Sequence, residues 1–209
     1  MQCLLSSAYL PPVEYFAAIA KFGKAFIEAC ENYQKQSYRN RCTILTANGK
    51  MNLNIPVSRG GDNFTHKVPI SEIEIDYSED WVLKHTRALE AAYMNSPFFV
   101  YYKDDLYKIL CSGERSLLKF NTLLTRQLLQ FCGVKAEVYL TEDFILPSAL
   151  PSDIDIVDLR ERIHPKWKGE SFIKEKPHWQ VFSAGGFISG LSVVDLLFNE
   201  GPDSVSFLL

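Results

Sequence analysis

Arg39 and Arg41, one residue apart, are the side chains in this sequence best suited to hold an anion. In an extended segment they point to one side and Asn40 to the other. Two guanidinium forks on one face can grip a diphosphate or carboxylates bidentately. They end a polar run, residues 31–42, with three cations, two aromatic rings, four carboxamides and neither glycine nor proline. Gln36, Arg39, Asn40 and Arg41 are its candidate ligand-binding residues, as such paired donors suit an oxygen-rich anion. The alternative is a solvated loop whose arginines reach surface acids or the acids of the long helix that follows.

Trp81 and His85, one helical turn apart, are the second constellation. A histidine beside a cleft is the usual general base. The alternative is a core histidine packed on Trp81 and bonded to a backbone carbonyl. Tyr93 and Ser96 end the same helix and are candidates to line one pocket with it. Cys30 and Cys42 bracket the polar run, so either thiol is a candidate to sit near His85. His164 and His178 lack metal-ligand spacing, and no metal site is expected. Asp195 offers an orienting carboxylate for His85 or a partner for an arginine, although helix-end polarity explains it as well. No Walker, dinucleotide or Ser-His-Asp motif is present, and no cofactor is expected.

These side chains need a scaffold. Residues 2–5 read as a buried strand, Pro11-Pro12 opens a helix, and Gly23 stops it ahead of a second strand over 24–30. That unit delivers the polar run at a strand's C-terminal end, where α/β proteins commonly bind ligands. Asn48-Gly49 between apolar runs signals a hairpin. Residues 59–64 read as a mobile loop, and 68–70 with 73–76 as extensions of the sheet. Helices follow from Ser78-Glu79-Asp80, from Phe98, over about 115–131, and over 191–198. Residues 141–178 look irregular, a candidate lid. The fold expected is α/β (or α+β) in a single domain over 1–209. It has a central mixed sheet with an N-terminal strand-helix-strand unit, a β-hairpin and a cluster of three to four helices.

Composition narrows the classes. Of 209 residues 47% are hydrophobic and 22% charged, a globular balance. A net charge of -3 argues against charge-driven nucleic-acid binding. No apolar run reaches the ~18–20 residues of a membrane span, and no signal peptide is seen. Five scattered cysteines suit reduced cytoplasmic thiols better than a disulfide frame.

Several segments together resemble the WbqC-like proteins. They are Ala8 to Phe16, the run ending Tyr38-Arg39-Asn40-Arg41, Leu53 to Val57, Trp81 to His85, Ala92-Tyr93 with Ser96 to Phe99, and Leu191 to Phe198. They occur in the family's order across residues 8 to about 200. The resemblance implies a bacterial protein of surface-polysaccharide (O-antigen type) biosynthesis, without an established reaction. Many relatives carry an acidic segment before the polar run, where this chain has Ile27 to Asn32, so no metal or acid role is carried over. The resulting expectation is a transferase acting on a small anionic substrate, a sugar nucleotide or an acyl or aminoacyl donor, with His85 as base. The other reading is a non-catalytic scaffold for a carrier protein or glycan enzyme, recognising it through Phe98, Phe99, Tyr101 and Tyr102.

Overall fold

The structure, a computed structural model, describes residues 1–58, 67–146, 156–183 and 185–209; the loop expected over 59–64 lies outside them. β1 (Gln2–Ser6) carries Cys3, Leu4 and Leu5 with no exposed surface. Burial of consecutive residues means both faces are covered, as in a central parallel strand. α1 (Val13–Phe22) starts after Pro12, whose missing N–H costs nothing at a helix end. It stops at Gly23, left-handed at φ 67°, whose N–H closes on the Ile19 carbonyl. β2 (Lys24–Glu28) then pairs parallel with β1, Leu4 opposite Phe26.

β7 (Glu137–Leu140) lies beyond β2, and β8 (Ile156–Asp158) lies on the other side of β1. All pairings in this β7-β2-β1-β8 sheet are parallel. The chain therefore builds outward from β1 through β2 to β7, then returns past β1 to lay down β8. Strand order reverses between β1 and β8, the position where α/β sheets open a crevice at their carboxyl ends.

The fold is α/β with the expected strand-helix-strand opening, hairpin and helices, and its antiparallel parts form sheets of their own. β3 (Arg41–Thr46) and β4 (Gly49–Asn54) make the hairpin, with Gly49 at φ 94°. β5 (Val57–Ser58) pairs separately with β6 (Glu74–Ile75). Ile70–Glu72 form a 3-10 turn rather than a strand; Pro69 before it has no N–H to give a ladder.

α2 (Trp81–Tyr93) is capped by Asp80, and α4 (Leu117–Phe131) by Ser116, each accepting a first-turn amide. Between them runs α3 (Phe99–Leu110). α5 (Val193–Glu200) is buried almost all round and is followed by the short α6 (Ser204–Leu208). The Phe98 ring sits 2.5 Å from where a side chain on Gly201 would begin, so only glycine admits it there. Phe99 is buried against Phe198, and Tyr102 packs on Phe131.

The stretch expected to be irregular, 141–178, contains β8, which corrects that reading. Three residues are too few to show alternation, so only pairing with β1 reveals them as strand. Among the described residues, no helix is long and apolar enough to cross a membrane.

Candidate functional site

The polar run is not a solvated loop. Its backbone is tied at both ends and in the middle. Tyr33 N–H bonds to Val68 O, Ile70 N–H to Glu31 O, Tyr9 N–H to Tyr38 O and Ile55 N–H to Asn40 O. Asn121 of α4 donates through Nδ2 to both Arg39 O and Ser7 Oγ, pinning the run to the end of β1. Gln36 takes φ 59° at its tip.

Arg39 is 2% exposed and Glu31 5%. The guanidinium meets that carboxylate with two N–H donors, Nε at 2.9 Å and Nη2 on the second oxygen. Nη2 also donates to Ser6 Oγ (2.9 Å), and Ser6 in turn donates to Glu31 (3.0 Å). Burial raises the Glu31 pKa, with Arg39 and Ser6 opposing that shift. The fork expected to grip a ligand is thus spent on a carboxylate inside the same run. Arg39 is part of the foundation of the site.

A second buried arginine stands across β1. Arg160, just past β8, places Nε and Nη2 on Asp158 and donates from Nη1 to Glu28 (3.0 Å). Glu28, fully buried at the end of β2, also accepts from Thr141 Oγ1 (2.6 Å) and from the amides of Cys30 and Ile145. The ends of all four parallel strands are therefore linked through Ser6, Glu28, Thr141 and Asp158 to two arginines. Sequence reasoning overlooked Glu28, Asp158 and Arg160. The signal was Asp158-Leu159-Arg160 after an apolar pair, a spacing of two that puts acid and base on one side of an extended chain.

Where strand order reverses there is a pit with about 10 Å³ of free space, lined by Ser6, Ser7, Arg39, Arg160 and His164 with apolar neighbours. That is the volume of about one water-sized atom. Beside it, sharing Tyr38, opens a groove of about 460 Å³ lined by Gln36, Arg41, Thr43, Lys50, Asn52 and Lys166. None of the described residues lining this groove is an acid, and Glu175 stands behind it, accepting the Gly190 N–H. Arg41 Nε is buried without a partner among the described residues, and Lys50 reaches Ser189 O (2.6 Å). On the other side of Arg160 a recess of about 220 Å³ is lined by Glu31, Asp158 and Glu161.

The remaining expected site residues are elsewhere. His85 is 4% exposed. Its Nε2 faces the Asn54 carbonyl (3.2 Å), which can only accept, so Nε2 carries the proton and Nδ1 accepts from Tyr9 OH (2.9 Å). Both nitrogens are bonded and Trp81 packs edge-on, so the ring expected beside the cleft is placed in the core. Asn40 donates to Ile55 O, closing the run onto the hairpin. Tyr93 donates to Asp195, which also receives His178 Nε2 and Gln180 Nε2. Ser96 is buried, its hydroxyl unpartnered among the described residues. None of these four lines the pit or the groove. Of the expected set, Gln36 and Arg41 line the groove and Arg39 lines the pit beside it.

The thiols offer no activated nucleophile. Burial raises the pKa of Cys42 strongly; desolvation followed by nearby Glu28 and Asp143 raises that of Cys30. Cys30 Sγ donates to Glu142 O, and neither thiol is bonded to His85. Among the described residues no cluster of His, Cys, Asp or Glu is arranged to hold a metal ion.

His85 has a measurable consequence. Burial pushes its pKa down to about 4 from 6.5, so the folded state prefers the neutral ring. Its contribution is complete above about pH 6.5 and is lost as pH falls through 6.5 toward 4, by about 3 kcal/mol. Urea unfolding at pH 7 and pH 4.5 is expected to show a steeper loss in wild type than in His85→Gln. Equal losses would contradict a buried neutral His85.

Comparison with known proteins gives a family and no reaction. No solved structure matches the chain. The Mycobacterium tuberculosis protein named "Uncharacterized protein Rv1507c" is 28% identical over 233 residues, covering 98% of this chain and 96% of its own. The model of the WbqC-like protein family matches residues 6–164, which includes both arginine clusters, the hairpin and β8. The chain therefore belongs to the WbqC-like protein family.

Proposed function

We propose that the protein is a cytoplasmic transferase of bacterial cell-surface polysaccharide assembly, and that its groove holds the anionic part of an activated donor. The observation that carries this is the placement of Arg41, Lys50 and Lys166, with no acid among the described lining residues, along one groove beside the pit at the carboxyl ends of β1 and β8. Like-charged side chains crowd only at a cost, which an anion with several oxygens offsets. Gln36 and Asn52 supply neutral donors for its remaining polar atoms. Family membership supports the polysaccharide setting, and the donor is a sugar nucleotide or an acyl or aminoacyl compound. Of the four aromatics of the scaffold reading, Phe99 is buried and Phe98 is seated on Gly201, which leaves exposed Tyr101 and half-buried Tyr102 as its surface.

The test is calorimetric titration of wild type, Arg41→Ala and the surface control Lys108→Ala with UDP-N-acetylglucosamine and with coenzyme A. Removing a guanidinium from a charge-assisted contact costs about 1.5–3 kcal/mol, roughly 10- to 150-fold in Kd. At least one probe is expected to bind wild type and the control alike and Arg41→Ala that much more weakly. Equal affinity for all three proteins would remove the groove as the anion site.

A further inference from the structure

The pit beside the groove is too small for a phosphate or a sugar. At about 10 Å³ it admits one oxygen-sized atom. Among the residues that line it, Ser7 and His164 keep a polar hydrogen to give. His164 accepts the Lys166 N–H at Nδ1 (3.1 Å), so the proton of the neutral ring is on Nε2, which has no partner among the described residues. Ser7 Oγ accepts from Asn121, which leaves its O–H hydrogen free to donate. Arg39 and Arg160 complete the wall with their charges fixed by Glu31, Asp158 and Glu28. The groups whose fields reach His164 are Arg39, Arg41, Lys166 and Glu161. Burial, with the three cations behind it, holds the His164 pKa below its usual value, against Glu161. A ring that stays neutral remains a donor without surrendering its proton.

We propose that this pit is an oxyanion pocket with His164 as its neutral Nε2–H donor, and that the donor substrate is an activated acyl compound on a phosphate-bearing carrier. This rests on the groove as the anion site and chooses between the two donor classes. Glycosyl transfer builds positive charge on the sugar ring, which donor hydrogens such as those of Ser7 and His164 do not stabilise. Acyl transfer concentrates negative charge on one carbonyl oxygen, which fixed donors stabilise. In the step, an acceptor amine or hydroxyl forms the new bond to the carbonyl carbon, and the carbonyl π pair moves onto the oxygen in the pit. That pair then re-forms the double bond as the bond to the carrier's sulfur or phosphate oxygen breaks. The proton lost by the acceptor passes to the departing thiolate or, from a phosphate leaving group, to solvent. The carrier's phosphates lie along Arg41, Lys50 and Lys166.

Two probes separate the sources of such an acyl group: acetyl-CoA for a thioester and acetyl adenylate for a mixed anhydride, each with a 13C-labelled carbonyl. Infrared difference spectra are recorded for wild type, His164→Gln and His164→Phe, with acyl-free coenzyme A and AMP titrated into each. The expected result is a labelled acyl carbonyl stretch lowered on binding to wild type for one probe. Glutamine, whose Nε2 reaches a similar position, preserves most of that shift, and phenylalanine removes it while the acyl-free carrier binds within about twofold of wild type. A carrier that binds in an Arg41-dependent way with no carbonyl shift overturns the oxyanion pocket and leaves the groove standing. So does Arg41-dependent binding of UDP-N-acetylglucosamine with no binding of either acyl probe. Failure of coenzyme A, AMP and the sugar nucleotide alike overturns both.

Discussion

Arg39→Ala is expected to lower the free energy of unfolding by about 3–5 kcal/mol, a large share of the stability of a domain this size. The guanidinium itself gains little by being buried. The cost arises because its removal strands the Glu31 carboxylate, 5% exposed, with only Ser6 left to bond it. Gln34 Oε1 also loses the weak Nη1 contact at 3.4 Å. The same logic predicts partial rescue: Glu31→Leu with Arg39→Met removes both charges and fills similar volume, and recovers most of the loss. Guanidinium chloride unfolding of the wild type, both single variants and the pair gives the coupling. A loss below about 1 kcal/mol for Arg39→Ala would contradict the buried ion pair.

Arg160→Ala is expected to cost about as much, roughly 3–5 kcal/mol, by stranding Glu28, which has no exposed surface. It also releases Asp158 at the end of β8 and the Ile145 carbonyl, which Nη2 holds at 2.8 Å. Lysine does not substitute, because one ammonium cannot span Asp158, Glu28 and Ile145 as a planar fork does. Arg160→Lys is therefore expected to cost more than half as much as Arg160→Ala, and limited proteolysis near 141–146 accelerates in both variants. The fields of Glu31 and Arg160 overlap, as do those of Glu28 and Glu31. Arg39→Ala and Arg160→Ala together should accordingly depart from additivity by more than about 0.5 kcal/mol. Wild-type-like unfolding and proteolysis of Arg160→Lys would show that the fork is not what ties the strand ends.

Much of the scaffold was legible because local chemistry governs it. Gly23 closes α1 as its missing side chain permits, and Ser116 caps α4 beside an apolar face. The polar run was recognisable as organised, since its donors are too many for a linker. What could not be read was where each polar side chain spends its hydrogen bonds. Arg39 finds Glu31 eight residues away, inside the very run that seemed to offer it to a ligand. His85 meets Tyr9 from 76 residues away, a pairing that no helical periodicity encodes. β8 is three residues long, and its identity as a strand depends wholly on β1. With it went Asp158, Arg160 and His164, which a reading of the sequence alone leaves in a proline-rich stretch without periodicity. Of the residues expected to bind a ligand, Gln36 and Arg41 are those that line the groove.

The most direct measurement of the central claim, that the reversal point of the sheet holds the ligand, is histidine-selective NMR. The protein carries four histidines, and His164 is beside the pit, while His85 and His178 are bonded to Tyr9 and Asp195 away from it. Titrating coenzyme A and UDP-N-acetylglucosamine in turn into 15N-histidine-labelled wild type and Arg41→Ala reports on each ring separately. The account predicts that at least one of these ligands moves the His164 ring resonances in wild type, much less at equal concentration in Arg41→Ala, with those of His85 and His178 unmoved. Saturable binding of either ligand that shifts His85 or His178 and leaves His164 in place would contradict it.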